Sequence, residues 1–213
     1  DISDLNYLFL RLQFIFQVQS MYPMDYEEFL WALGDTTTIP LLRTAFENKM
    51  PLGDAVHRKL MRDFRLYMLI GGMPQAVSAY IKTNNFTAVD MAKRDIIALY
   101  EEDFGKIDAS GRAKAMYDAI PAQLSKNSSR FQIGSAIPDE KVDRITHIVR
   151  DMEDSMTTNV AFHSDDPNAG LALTKNEKYF KMYASDTGLF VTQAFKDQDI
   201  TENVIYDKLL NDK

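Results

Sequence analysis

Arg65 to Val77 reads RLYMLIGGMPQAV: an apolar helical run, then Gly71-Gly72-Met73-Pro74, then a second apolar run. Glycine tolerates the left-handed backbone that ends a helix. Proline presets φ for the first position of the next one. The stretch therefore predicts a helix–helix corner. Two residues without side chains also let a backbone approach a ligand closely, and spacing alone does not choose between these uses.

Working outward, residues 54–70 form a long amphipathic pattern with Val56, Leu60, Phe64 and Tyr67 on one face. Residues 40–50, 74–83, 87–104 and 112–124 also read as helices. Upstream, MYPMDYEEFLWALGD carries full helix punctuation. Asp25 is the cap, Glu28 completes a capping box, Met24 can staple onto Phe29, and Gly34 is the stop. Phe29, Leu30, Trp31 and Leu33 give this short helix a broad apolar face that predicts burial. Before it, Leu10, Leu12, Phe14, Phe16 and Val18 alternate with other residues at period two, the mark of a strand.

Downstream of a loop at SKNSSRF, residues 139–153 form a further helix with Val142, Ile145, Val149 and Met152 inward. NVAFHSDDPNAGLAL, broken at Asp166-Pro167-Asn168-Ala169-Gly170, predicts a hairpin. A short strand and a helix begun by Asp186 follow. Helices followed by a hairpin are the order of a winged-helix module, here about residues 110–185. The expected class is mainly α with a small β component.

The 213 residues are 46% hydrophobic and 26% charged, with net charge -7, an ordinary globular composition without a global basic footprint. The absence of cysteine excludes disulfides, thiolate metal sites and a cysteine nucleophile. No apolar run is long enough to span a membrane and no signal peptide is visible, which places the expected location in the cytoplasm. The chain opens on Asp1 rather than methionine and ends in a helical pattern, so it reads as a piece of a longer protein.

No Gly-x-x-x-x-Gly-Lys-Ser/Thr loop is present to cradle phosphates. His57, His147 and His163 lack metal-ligand spacing, and His147 in its amphipathic helix reads as structural. Arg58, Arg62 and Arg65, four and three apart, share a helix face. That stripe reads either as a solvated face paired with Asp54 and Asp63 or as a contact for phosphate or an acidic partner. The 139–154 helix holds six acidic residues against Lys141, Arg144 and Arg150, which argues against its reading DNA.

Taken together, YPMDYEEFLWALGD, YMLIGGMPQAV, IPAQLSKNSSRFQ, DDPNAGLAL and KYFKMYASDTGLF resemble, in order and spacing, one family. It is the bacterial and archaeal AAA-type P-loop ATPases whose core precedes a conserved C-terminal region of unassigned function. The resemblance covers roughly residues 21–195. It implies that a P-loop core stands before the tyrosine-proline-methionine stretch, its Walker elements lying outside this chain. It also implies that Gly72-Met73-Pro74 is a lid turn touching adenine.

The organisation expected on that basis is the end of an ATPase core strand over 1–35, a helical lid over 36–108 and a winged-helix-like module over 109–195. The start of a truncated region over 196–213 completes it. The chain is then an ATP-binding fragment unable to hydrolyse ATP alone, with ATP and, in the intact protein, Mg as cofactors. Gly72, Met73 and Pro74 are its base contacts, and Arg62 and Arg65, with Arg58, its phosphate or interface sensors. The alternative is a helical or winged-helix interaction module for a protein partner or, with less support, DNA.

Overall fold

The computed structural model describes residues 21–126, 128–166, 168, 170–198 and 203–211. The strand pattern over 7–19 lies outside them. The elements run α1 (Tyr26–Ala32), α2 (Thr38–Glu47), α3 (Asp54–Ile70), α4 (Pro74–Thr83), α5 (Phe86–Ile107), α6 (Arg112–Ser125), α7 (Ile133–Ala136) and α8 (Val142–Asp154). Then follow β1 (Thr158–Ser164), β2 (Lys175–Ala184), α9 (Thr187–Ala194) and α10 (Asn203–Asn211). The fold is mainly helical, with one small two-stranded antiparallel sheet among the described residues.

The local punctuation acts where the sequence placed it. Asp25 accepts from the Glu28 amide at 2.8 Å while the Glu28 carboxylate takes the Asp25 N–H at 3.0 Å, a reciprocal capping box. Met24 packs against the cluster that holds Phe29. Gly34, at φ 85°, follows the end of α1. Only Phe29 and Leu30 of α1 are buried, however, whereas Trp31 and Leu33 face solvent. Seven residues give about two turns, and α3 covers only one side of so short a helix.

The hairpin also differs from expectation. β2 is Lys175–Ala184, the strand expected after the hairpin stretch, and it is this strand that pairs with β1; Leu173, at the end of NVAFHSDDPNAGLAL, belongs to the connecting turn, its N–H donating to Gly170 O at 2.8 Å. The alternating Phe180 and Met182, 3% and 0% exposed, seat the longer strand on the core. The one-turn α7 was not foreseen, and α8 starts at Val142 because Asp139, at φ 63°, does not continue a helix.

Two cores meet at the glycine corner. One gathers α5 to α9 and the sheet around Met116, Tyr117, Ile120, Ile145, Ile148 and Met152. The other joins α1, α3, α4 and α5 around Phe29, Ile70, Val77 and Val89. Met73 packs against both. A third, smaller cluster fixes α10 to α3 through Leu69, Tyr206 and Leu210.

Gly188, in the first turn of α9, lies against the end of α3 so closely that a Cβ there would overlap the carbonyl of Ile70. Gly188→Ala is therefore expected to lower stability by several kcal/mol, since backbone must move. Gly53→Ala, at φ 67° and ψ 150° with nothing near its Cβ, meets only the backbone penalty of about 1–3 kcal/mol. Urea denaturation of the two variants side by side measures the difference.

Candidate functional site

The Gly71-Gly72-Met73-Pro74 corner joins α3 to α4, with Gly71 at φ 83° and Pro74 opening the next helix. Both glycines are buried, and the close approach they permit is used by the chain itself. A Cβ on Gly72 would collide with the backbone of Met24, and one on Gly71 with the carboxylate of Asp186. Met24 N–H donates to Gly72 O at 2.8 Å, and the Tyr67 hydroxyl donates to Met24 O at 2.9 Å.

From the other side, Asp186 takes two amides at once. Gly72 N–H donates to its Oδ2 at 2.6 Å, and Leu189 N–H, in the first turn of α9, to its Oδ1 at 2.9 Å. Burial pushes this carboxyl above the ordinary range, against the pull of those amides and of Lys93. Of the four corner residues, Met73 is half-buried and Pro74 exposed, so they are the two through which a ligand can be met.

Behind the corner, Lys93 is fully buried in α5. Its Nζ donates to Leu69 O at 3.0 Å, to Gly188 O at 3.1 Å and to the Tyr206 hydroxyl at 2.8 Å. Tyr206 in turn donates to Asp90 at 3.1 Å, which also accepts from Thr192 at 2.8 Å and from Arg94 at 2.7 Å. Desolvation lowers the Lys93 ammonium to about 8. Lys93 was missed in the sequence, although a signal existed. It stands four residues after Val89 and three and four before Ile96 and Ile97, on the buried stripe of α5.

A cleft of about 410 Å³ opens beside the corner, between Tyr22–Asp25 and Tyr67 on one side and Glu153, Asn159 and Ser185–Thr187 on the other. The arginine stripe does not join it. Arg58 and Arg62 border a separate groove of about 530 Å³ with Tyr80 and Leu210. Along α3, Arg62 stands about 13 Å from the corner at 1.5 Å per residue. Arg65 is half-buried. Among the described residues none of the three arginines pairs with a carboxylate. Asp63, expected to compensate the stripe, is engaged by Lys59 at 2.7 Å.

His57 and His147 are exposed, the latter rather than packed, and His163 lies 3.5 Å from Asp165. Among the described residues no cluster of His, Asp and Glu could hold a metal, and no helix is long and apolar enough to cross a membrane.

The Lys93 site has a defined pH signature. The unfolded lysine titrates at 10.5 and the folded one near 8, so between these values the unfolded chain holds the extra proton. Stability therefore rises with pH through this window, and the burial penalty is present in full below about 8. The stability of the wild type relative to Lys93→Met is expected to grow by on the order of 1–2 kcal/mol between pH 7.5 and 9.5. Urea titrations at the two pH values test it, and a flat difference excludes Lys93 as the titrating group.

Asp186→Ala strands two amides at the corner and removes a cap, an expected loss of about 2–5 kcal/mol in the same assay.

A family model described as Domain of unknown function (DUF8612) matches residues 61–199, from the middle of α3 past the end of α9, and the chain belongs to that family. No curated protein matches, and no solved structure matches.

Proposed function

We propose that this family member is the lid and winged-helix-like portion of a cytoplasmic AAA-type ATP-binding protein. It contributes to nucleotide binding and coupling, and does not hydrolyse ATP by itself. The observation that carries this reading is the seating of Met24 on Gly72, with Tyr67 holding the same residue. The polypeptide leading into α1 is thereby fixed to the turn between two helices, as a core-to-lid connection requires.

Asp186 links that turn to α9, directly after the hairpin, so a displacement at the corner is transmitted to the 109–195 module. In support, α6, α7 and α8 followed by a hairpin give the element order of a winged helix.

The adenine contact falls to Met73 and Pro74, because Gly72 acts through its backbone, already bonded on both sides. The cleft that reaches the corner through Met24, Tyr67 and Asp186, and that neither Met73 nor Pro74 lines, has a volume suited to a small ligand. Its Asp25 and Glu153 suit hydroxyl donors such as a ribose better than phosphates. Phosphates and Mg then belong to P-loop residues outside this chain. Arg62 and Arg65, remote from the corner, are assigned to sensing phosphate or a neighbouring subunit.

In the intact gene product, Pro74→Ala is expected to weaken ATP binding about five- to tenfold with the melting temperature held. Arg62→Ala and Arg65→Ala are expected to alter nucleotide-dependent assembly. Calorimetric titration with ATP, alongside melting curves, measures the first, and sedimentation with and without ATP measures the second. Unchanged affinity in folded Pro74→Ala and Met73→Ala removes the nucleotide reading.

A second reading, an interaction module for a protein partner, is favoured by α2. This helix buries no residue, and Phe46 is 85% exposed beside Met50 and Leu42 in an apolar groove of about 400 Å³.

A further inference from the structure

We propose that the outer face of the β1–β2 hairpin binds single-stranded nucleic acid, with Tyr179 and Tyr183 as stacking surfaces for bases and Arg130 and Lys181 as phosphate contacts. The inference rests on the hairpin alone and is independent of the nucleotide reading of the corner.

The strand period builds this face. Phe180 and Met182 point into the core, so Tyr179, Lys181 and Tyr183 point away from it. Across the ladder, Lys181 stands opposite Ala161 and Tyr183 opposite Asn159, small or polar neighbours that leave the Tyr183 ring uncovered, while Tyr179 lies at the ladder's irregularity with His163 6.3 Å away. Phe131 N–H donates to Phe180 O at 2.7 Å, which lays residues 129–131 along the free edge of β2. That placement sets the Arg130 guanidinium 4.6 Å over the Tyr179 ring. Beside this pair a groove of about 420 Å³ is lined by Ser129, Ala161, His163, Tyr179 and Lys181. Tyr179 is 45% exposed.

Charge identifies the occupant. The chain carries -7 overall, and neighbouring cations are compensated: Lys178 by Asp143 at 2.8 Å, and Lys175 and Arg150 by Glu177. Arg130 and Lys181 have no carboxylate partner among the described residues. They interleave with the two exposed tyrosines.

Tyr179 and Tyr183 are separated by about 13 Å along the strand, with Lys181 midway. Flat rings alternating with cations suit a strand whose bases are unpaired and free to stack. A duplex offers no exposed base faces and needs a longer run of cations. Asp165, beside His163, and Glu153, beside Asn159, border the face and confine the footprint to a few nucleotides. The acidic α8 takes no part.

The test uses the 213-residue chain and a short fluorescein-labelled oligothymidylate, read by anisotropy at about 50 mM salt. Saturable binding is expected. Tyr179→Ala should weaken it about tenfold through lost stacking. Lys181→Glu should weaken it and flatten its salt dependence. Lys106→Glu, an exposed charge reversal on α5, should leave it unchanged. Tyr179 is exposed and Lys181 half-buried, and melting curves confirm that the variants fold.

No saturable binding up to about 100 µM overturns the proposal, a limit near the weak end of non-specific association. So does equal affinity for a duplex of the same length, or an affinity untouched by Tyr179→Ala. Competition by polyglutamate as effective as that by unlabelled oligothymidylate also overturns it, since the face would then be a surface for acidic protein.

Discussion

The Asp186 carboxylate is the constraint on which the rest of this structure depends. It holds the amide of Gly72, which ends one helix pair, and the amide of Leu189, which begins the helix after the hairpin. Residues 114 apart in sequence are thereby joined by one buried group. The geometry demands glycine at three places. Gly71 must make room for the carboxylate, Gly72 for the Met24 backbone, and Gly188 for the end of α3. A helix N-terminus thus abuts a helix C-terminus, the favourable sense for two macrodipoles.

Lys93 completes this junction from below. The C-terminal carbonyls of α3 lack intrahelical partners, and Leu69 O receives the Lys93 ammonium, which also binds Gly188 O. Asp186 supplies acceptors to stranded amides and Lys93 supplies donors to stranded carbonyls. Neither charge is bought by a direct ion pair with the other. Tyr206, stacked on Phe86 at 4.9 Å between centroids, passes the Lys93 contact on to Asp90, which ties α10 into the same network. Buried polar groups of this kind tolerate no vacancy, because each unsatisfied member costs more than a made bond returns.

What the sequence disclosed follows from the range of each interaction. The corner, the capping box at Asp25, the stop at Gly34 and the start of α9 at Asp186 depend on residues within one or two turns, and all were readable. The second bond of Asp186 was not, since a contact spanning the chain leaves no periodic trace. The strand in TKNEKYFKMYASDTGLF was readable, but its pairing with β1 was not, because turn-forming composition at Asp166–Gly170 suggested a hairpin closed within NVAFHSDDPNAGLAL. Trp31 misled because apolar character predicts burial only where a partner surface extends far enough to cover it. The covering of Gly72 by Met24 was likewise invisible, although both residues had been singled out separately.

That covering alters what a glycine pair implies about function. Bare glycines in a turn invite a ligand only if the space above them remains open. Here the space is occupied by the backbone of Met24 and the carboxylate of Asp186, so the absence of side chains serves assembly first. Any nucleotide sensitivity then has to act through the assembly. A ligand touching Met73 or Pro74 pushes on a turn whose two peptide groups are already bonded to Met24 and Asp186. Because Met73 packs into both principal cores, a displacement there cannot be absorbed locally by well-packed side chains. Under the proposed nucleotide reading, such a corner would convert a small contact into a change in how the two halves meet, which a looser, solvent-filled turn would not do.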